Sequence, residues 1–200
     1  MAQLFFRYGT MNSGKSLQLL AVKHNYEEKG GRVLLLTSAL DNRAGVGIVK
    51  TRLGVKSEAI AIKPEDNVLD IITDHKYYDN GKLDCDCVLV DEAEFLTPDQ
   101  IEQLWSVVVH CDTPVICYGL KTDFTGHLFD GAKRLLELAD KIEEIKTVCE
   151  KCDRKATMNL RTVDGKAVYE GDQVQIGDSE YHAVCSYHHV NWEETGIDQE

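Results

Sequence analysis

Gly9-Thr10-Met11-Asn12-Ser13-Gly14-Lys15-Ser16 follows directly on the apolar run Leu4-Phe5-Phe6. The order is strand, glycine-rich loop, helix. In loops of the form G-x-x-x-x-G-K-[ST] the backbone N–H groups turn inward onto phosphate oxygens, and the next helix presents its positive N-terminal end to the same anion. Lys15 is placed to reach the β and γ phosphates of a nucleoside triphosphate, and Ser16 to ligate Mg²⁺. The bland alternative is a glycine turn ahead of an ordinary helix.

Outward from this loop the pattern repeats. Apolar, β-branched runs at 33–37, 59–62, 88–90 and 114–118 read as strands buried on both faces, as in a parallel sheet. Helical periods separate them at 16–28, at 67–75 with Val68, Leu69, Ile71 and Ile72, and beyond Thr97 with Ile101, Leu104, Val107 and Val108. Thr97-Pro98-Asp99-Gln100 marks that third start, a capping-box Thr and Gln with Pro at the first helical position. A fourth helix is expected over about 130–140, feeding a strand at 141–147. Alternating strands and helices make the α/β class. The loops 41–47 and 119–127 follow strand ends, where open α/β sheets bind ligands.

The run Val88-Leu89-Val90-Asp91-Glu92 is an apolar strand ending in two acids. Asp91 suits Mg²⁺, through water, because that ion prefers oxygen ligands and dehydrates reluctantly. Glu92 is then free to accept a proton from an attacking hydroxyl, as in a kinase, or to polarise water, as in an ATPase. Met11, Phe95, Leu120, Phe124 and Phe129, with Tyr181 further on, are candidate walls for a stacked base, although each alone reads as core.

After Thr147 the chain turns polar, with expected strands at 156–162 and 173–176 and turns at Asp164-Gly165 and Glu170-Gly171-Asp172. Cys149-Glu150-Lys151-Cys152 and Cys185-Ser186-Tyr187-His188 form C-x-x-C and C-x-x-H knuckles, the pattern of a closed, structural Zn²⁺ site stapling a module too small for its own core. A redox C-x-x-C pair is the alternative, and His189 or His182 competes with His188 as the fourth ligand. The other four of the seven cysteines, Cys85, Cys87, Cys111 and Cys117, lie in or beside apolar segments and read as small buried hydrophobes. The expected architecture is a P-loop NTPase domain over 1–146, a mainly parallel sheet flanked by helices, with a small zinc-ribbon-like domain over 147–200.

Two hundred residues, 43% of them hydrophobic, suffice for a complete small enzyme. A formal charge of −12 without any basic run argues against nucleic acid and anionic membranes as partners. No apolar stretch approaches the ~20 residues of a membrane span. A soluble, cytoplasmic protein without a signal peptide is expected.

Taken together, these segments resemble the zinc-containing, type II thymidine kinases. The likeness rests on the phosphate loop, Asp41-Asn42-Arg43, Val90-Asp91-Glu92-Ala93-Glu94-Phe95, Tyr118-Gly119-Leu120-Lys121-Thr122-Asp123-Phe124, Ala156-Thr157-Met158-Asn159-Leu160-Arg161 and both knuckles. It implies transfer of the γ-phosphoryl of ATP to the 5′-hydroxyl of thymidine, with Glu92 as general base and Mg²⁺ bridging the phosphates. It places Asp91, Glu92, Ala93 and Glu94 in the nucleotide site and Asp41 and Arg43 near phosphates and metal. A lasso over 153–184, carrying Gly177 and Tyr181, would close on thymine, with Met11, Phe95, Leu120 and Phe124 lining base and sugar. A homotetramer and inhibition by thymidine triphosphate are further expectations. The family usually has Gln where this chain has Glu94. If the side chains approach, that extra acid raises the pKa of Glu92. Competing readings are a zinc-ribbon ATPase acting on nucleic acid and a nucleotide-sensing module without turnover.

Overall fold

The computed structural model describes residues 1–41, 45–73, 78–79, 82–173 and 180–193. Its frame is a six-stranded, wholly parallel sheet. The strands are β1 (Leu4–Tyr8), β2 (Val33–Ser38), β5 (Ile60–Ile62), β8 (Cys87–Asp91), β9 (Val115–Gly119) and β10 (Lys141–Glu144), in the spatial order β10-β1-β9-β8-β2-β5. Two short antiparallel hairpins, β3 (Ile48–Lys50) with β4 (Lys56–Glu58) and β6 (Tyr78–Asp79) with β7 (Lys82–Leu83), stand outside it. The expected strand at 141–147 thus stops at Glu144.

Strand periodicity divides the core in two. Leu34, Leu36, Val88, Val90, Val115 and Cys117 point to one face. Leu35, Cys87, Leu89, Ile116 and Tyr118 point to the other. The first face is covered by α2 (Val68–Thr73), α3 (Pro98–Cys111) and α4 (Asp130–Leu138), through Ile101, Leu104, Val107, Ala132 and Leu135. The second face receives Leu19 and Leu20 of α1 (Lys15–Glu27). The continuous apolar runs of the sequence follow from this double covering.

The start of α3 is as the sequence predicts. Thr97 Oγ1 accepts from the Gln100 N–H at 3.2 Å, and Gln100 Oε1 accepts from the Thr97 N–H at 3.0 Å. The buried Gln100 Nε2 also donates to the Lys63 carbonyl at 2.7 Å, so the cap fixes the chain that enters α2. Cys85, Cys87 and Cys117 are buried as expected, but Cys111 is exposed. Its neighbours Val109 and His110 are exposed too, so the end of α3 faces solvent.

The C-terminal part is a small antiparallel sheet, β12 (Lys166–Val168), β11 (Met158–Val163) and β13 (Glu180–Val184) in that spatial order, followed by α5 (Ser186–Val190). The turn at Asp164-Gly165 joins β11 to β12, with Asp164 at φ 51° and Gly165 at φ 75°. Most of the strand expected at 173–176 lies outside the described residues, as do Arg43 and Gly177. No helix among the described residues is long and apolar enough to cross a membrane.

Candidate active site

The phosphate loop connects β1, an interior strand of the sheet between β10 and β9, to α1. Asn12 (φ 65°) and Gly14 (φ 85°) adopt the left-handed backbone that curls the loop, and Gly14 caps α1. Lys15 is buried, and its Nζ donates to the Thr10 carbonyl at 3.0 Å, which aims the ammonium back into the loop. Ser16 Oγ donates to Asp91 Oδ2 at 2.9 Å. The two motifs read separately in the sequence are therefore one site.

Beyond Asp91 the chain turns sharply. Glu92 has φ 50°, an uncommon conformation for a residue with a side chain, and it caps a 3₁₀ turn over Ala93–Phe95. Burial and the adjacent Glu92 charge push Asp91 up to about 7 despite the Ser16 hydrogen bond. Glu94 is enclosed, with 1% of its surface exposed. Burial first, then the Glu92 charge beside it, drive its carboxyl well above the ordinary range. Burial therefore favours the protonated form of Glu94. Gly119 makes room for it, since a Cβ there would overlap the Glu94 carboxylate. Gly131 does the same for the backbone, because a Cβ would press on the carbonyls of Ala93, Glu94 and Leu96.

Among the described residues, the buried side-chain nitrogen and oxygen atoms without a hydrogen-bond partner are Thr10 Oγ1, Ser13 Oγ, Asp91 Oδ1, both Glu94 oxygens and His188 Nε2. Native structures leave few such atoms. All but the last belong to the phosphate loop or the acidic turn facing it. An oxygen-ligated cation and a polyphosphate fit this donor set, with Ser16 and Asp91 suited to Mg²⁺ and the loop to the phosphates.

The candidate walls divide into two groups. Phe124, Phe129 and Leu120 are interior side chains, with Phe129 edge-to-face on Phe95 at 5.4 Å and Phe124 beneath the Arg161 guanidinium at 5.3 Å. Met11 and Phe95 are half-buried at the edge of the same core. Tyr181 is half-buried on β13, paired in register with Arg161. Asp41 is half-buried just past β2.

Asp123 and Asn159, present in the sequence only as members of quoted segments with no role of their own, have supporting roles in the structure. Asp123 Oδ1 accepts from Thr125 N–H at 2.9 Å, Thr125 Oγ1 at 2.7 Å and His127 N–H at 3.0 Å, closing the 119–127 loop on itself. Burial alone would raise Asp123, but hydrogen bonds from Thr125, Gln173 and His127 outweigh it and hold the carboxyl below its usual range. Buried Asn159 on β11 reaches both the phosphate loop and Thr122. The available signal was the polar pair Asn159 and Arg161, spaced two apart on one face of a strand.

The four knuckle residues converge. Cys149, Cys152, Cys185 and His188 have ligand atoms all within 4.8 Å of one another. Tetrahedral coordination with Zn–S ~2.3 Å and Zn–N ~2.0 Å implies sulfur–sulfur separations of ~3.8 Å and sulfur–nitrogen of ~3.5 Å. The structure has Cys152 and Cys185 sulfurs 3.9 Å apart, and His188 Nδ1 3.5 Å from both Cys149 and Cys185 sulfurs. Although burial opposes it, backbone N–H groups and His188 hold the Cys149 thiol down to about 7, as a thiolate ligand needs. The competing histidines are engaged elsewhere. His189 Nε2 lies 2.8 Å from the Phe124 carbonyl, and His182 Nδ1 2.7 Å from Glu150 Oε2. His188 is the fourth member of the cluster.

A family model described as thymidine kinase matches residues 2–189. The chain belongs to the thymidine kinase family. The thymidine kinase of Lactococcus lactis subsp. lactis is 54% identical over 94% of this chain and 97% of its own. That of Lactobacillus acidophilus is 50% identical over 96% and 98%. That of Streptococcus pyogenes serotype M1 is 52% identical over 96% and 98%. Among solved structures, the Legionella pneumophila ATPase DotB aligns at TM-score 0.43 and 15% identity, covering 77% of this chain and 43% of that one. In this member of the thymidine kinase family, Asn159 on β11 and His189 on α5 both bond to the 119–127 loop, linking the C-terminal part to the phosphate-loop part.

Proposed function

We propose that the protein transfers the γ-phosphoryl of ATP to the 5′-hydroxyl of thymidine, giving thymidine monophosphate. The observation that carries this reading is the closure of Ser16 on Asp91 beside Glu92, which puts a phosphate loop, a metal-suited acid and a second carboxylate at one strand end. Relatives at 50–54% identity over nearly their full length support it. Lys15 and the loop N–H groups hold the β and γ phosphates and stabilise charge on the transferring group. Glu92 accepts the proton of the 5′-hydroxyl as it attacks. Mg²⁺, when bound, neutralises phosphate charge; Ser16 and Asp91 are its holders. Asp41 and Arg43 lie toward the phosphates in this reading.

Met11, Phe95, Leu120, Phe124 and Phe129 line base and sugar, and the lasso over 153–184 with Gly177 and Tyr181 closes on thymine. Zn²⁺ on Cys149, Cys152, Cys185 and His188 anchors that lid, so 1–146 serves as the nucleotide domain and 147–200 as the lid domain. The family resemblance supports a cytoplasmic homotetramer inhibited by thymidine triphosphate. The test offers purified protein ATP and Mg²⁺ with thymidine, deoxyuridine, deoxycytidine or deoxyadenosine. Thymidine-selective monophosphate formation, abolished by Lys15→Ala, is expected; no transfer to any nucleoside would overturn the reading.

A further inference from the structure

We propose that Asn159 is a positioning residue that clamps the phosphate loop to the 119–127 loop and thereby fixes the width of the nucleoside pocket. Its Oδ1 accepts from the Met11 N–H at 2.8 Å, and its Nδ2 donates to the Thr122 carbonyl at 3.1 Å. The side chain is 3% exposed, so both bonds are shielded from competing water. Both partners are backbone groups with fixed roles, which dictates the orientation of the amide. One planar side chain thus ties together two segments more than a hundred residues apart in the chain. Met11 follows from one of them and Leu120 and Phe124 from the other, so the span of this amide sets the distance between the proposed walls.

The clamp is braced from behind. Asn159 pairs with Ala183 in the β11–β13 register. Glu150 grips Ala183 from the other side, its N–H donating to the Ala183 carbonyl at 3.0 Å and its Oε1 accepting from the Ala183 N–H at 3.1 Å. Glu150 lies between Cys149 and Cys152, and Ala183 lies two residues before Cys185. The first knuckle is therefore linked to Asn159 through Glu150 and Ala183. A side chain kept only for strand packing would have no need of two complementary bonds leaving its own sheet.

The nucleoside part of this inference rests on the kinase reading, whereas the clamp does not, so the experiment reads both. The zinc-loaded full chain is compared with Asn159→Ala and Asn159→Asp for amide exchange at Met11, global exchange protection, zinc content, and KM and kcat for thymidine. Asn159→Ala removes both bonds and is expected to speed Met11 exchange and raise the thymidine KM, each about tenfold, with kcat changed less. Asn159→Asp keeps the acceptor for Met11 but sets an oxygen against the Thr122 carbonyl. Met11 exchange should then stay near parental while the thymidine KM rises. Changes within twofold in both variants would overturn the clamp. So would Met11 exchange that rises only in step with global loss of protection. If Asn159→Ala does not fold, Asn159→Asp decides alone: raised KM with a protected Met11 supports the clamp, and unchanged KM overturns it. If thymidine is no substrate, the kinase reading fails, and the clamp is judged on Met11 exchange in the variants.

Discussion

Ser16 Oγ donates to Asp91 Oδ2 at 2.9 Å, joining the phosphate loop to the end of β8 across 75 positions of sequence. A divalent cation shared by these two groups must compete with a proton, because burial and Glu92 place Asp91 at about 7. The Mg²⁺ concentration for half-maximal activity should therefore rise as pH falls from 8 to 6. Titrating Mg²⁺ at both values checks this; equal requirements would remove Asp91 from the metal site.

Glu92→Gln fills the same space but cannot accept a proton. With Glu92 as general base, kcat should fall by about 10²–10⁴-fold while ATP affinity stays within a few-fold. Steady-state rates and ATP titration separate the outcomes, and loss of ATP affinity with intact turnover would assign Glu92 to binding instead.

Glu94 has a folded-state pKa raised above that of the unfolded chain. A raised acid contributes stability that is complete below the ordinary glutamate range and is lost as pH climbs toward the folded value. Glu94→Gln has no proton to lose. The Tm of Glu94→Gln minus that of the parent should grow from pH 5 to pH 8, and a flat difference would mean that burial does not raise the Glu94 carboxyl.

Gly119→Ala drives a methyl group into the Glu94 carboxylate. The overlap is enclosed on both sides and should destabilise the protein by about 1–3 kcal/mol. Denaturant unfolding of Gly119→Ala measures it, and parental stability would show that Glu94 can move aside.

The neighbouring histidines should part company on metal content. His188→Ala removes a cluster member and should release zinc, as should Cys185→Ser, with the thymidine KM rising more than that for ATP. His189→Ala should keep its zinc and loosen the contact with the Phe124 carbonyl. Elemental analysis of the three variants decides.

Much of this was legible in the chain itself. The phosphate loop, the acid-tipped strand, the capping box at Thr97 and the spaced knuckles depend on short-range geometry: which residue permits φ > 0, which side chain reaches the backbone three residues on, which pair of ligands one tight turn can aim at a point. Two-sided burial likewise leaves its trace as unbroken apolar runs, seen in Leu34 to Leu36 and Val88 to Val90. Such features are local, so sequence alone determined the fold class, both motifs and the metal-cluster cysteines, and its C-x-x-H spacing favoured His188. Tertiary structure removed His182 and His189 as alternatives, because that turns on where Glu150 and Phe124 lie. It also enclosed Glu94, which raises its carboxyl, and made Asn159 a bridge between two loops. Those properties come from enclosure and from contacts between distant segments, and a desolvation penalty or a hydrogen bond across the fold leaves no periodic mark in the order of residues.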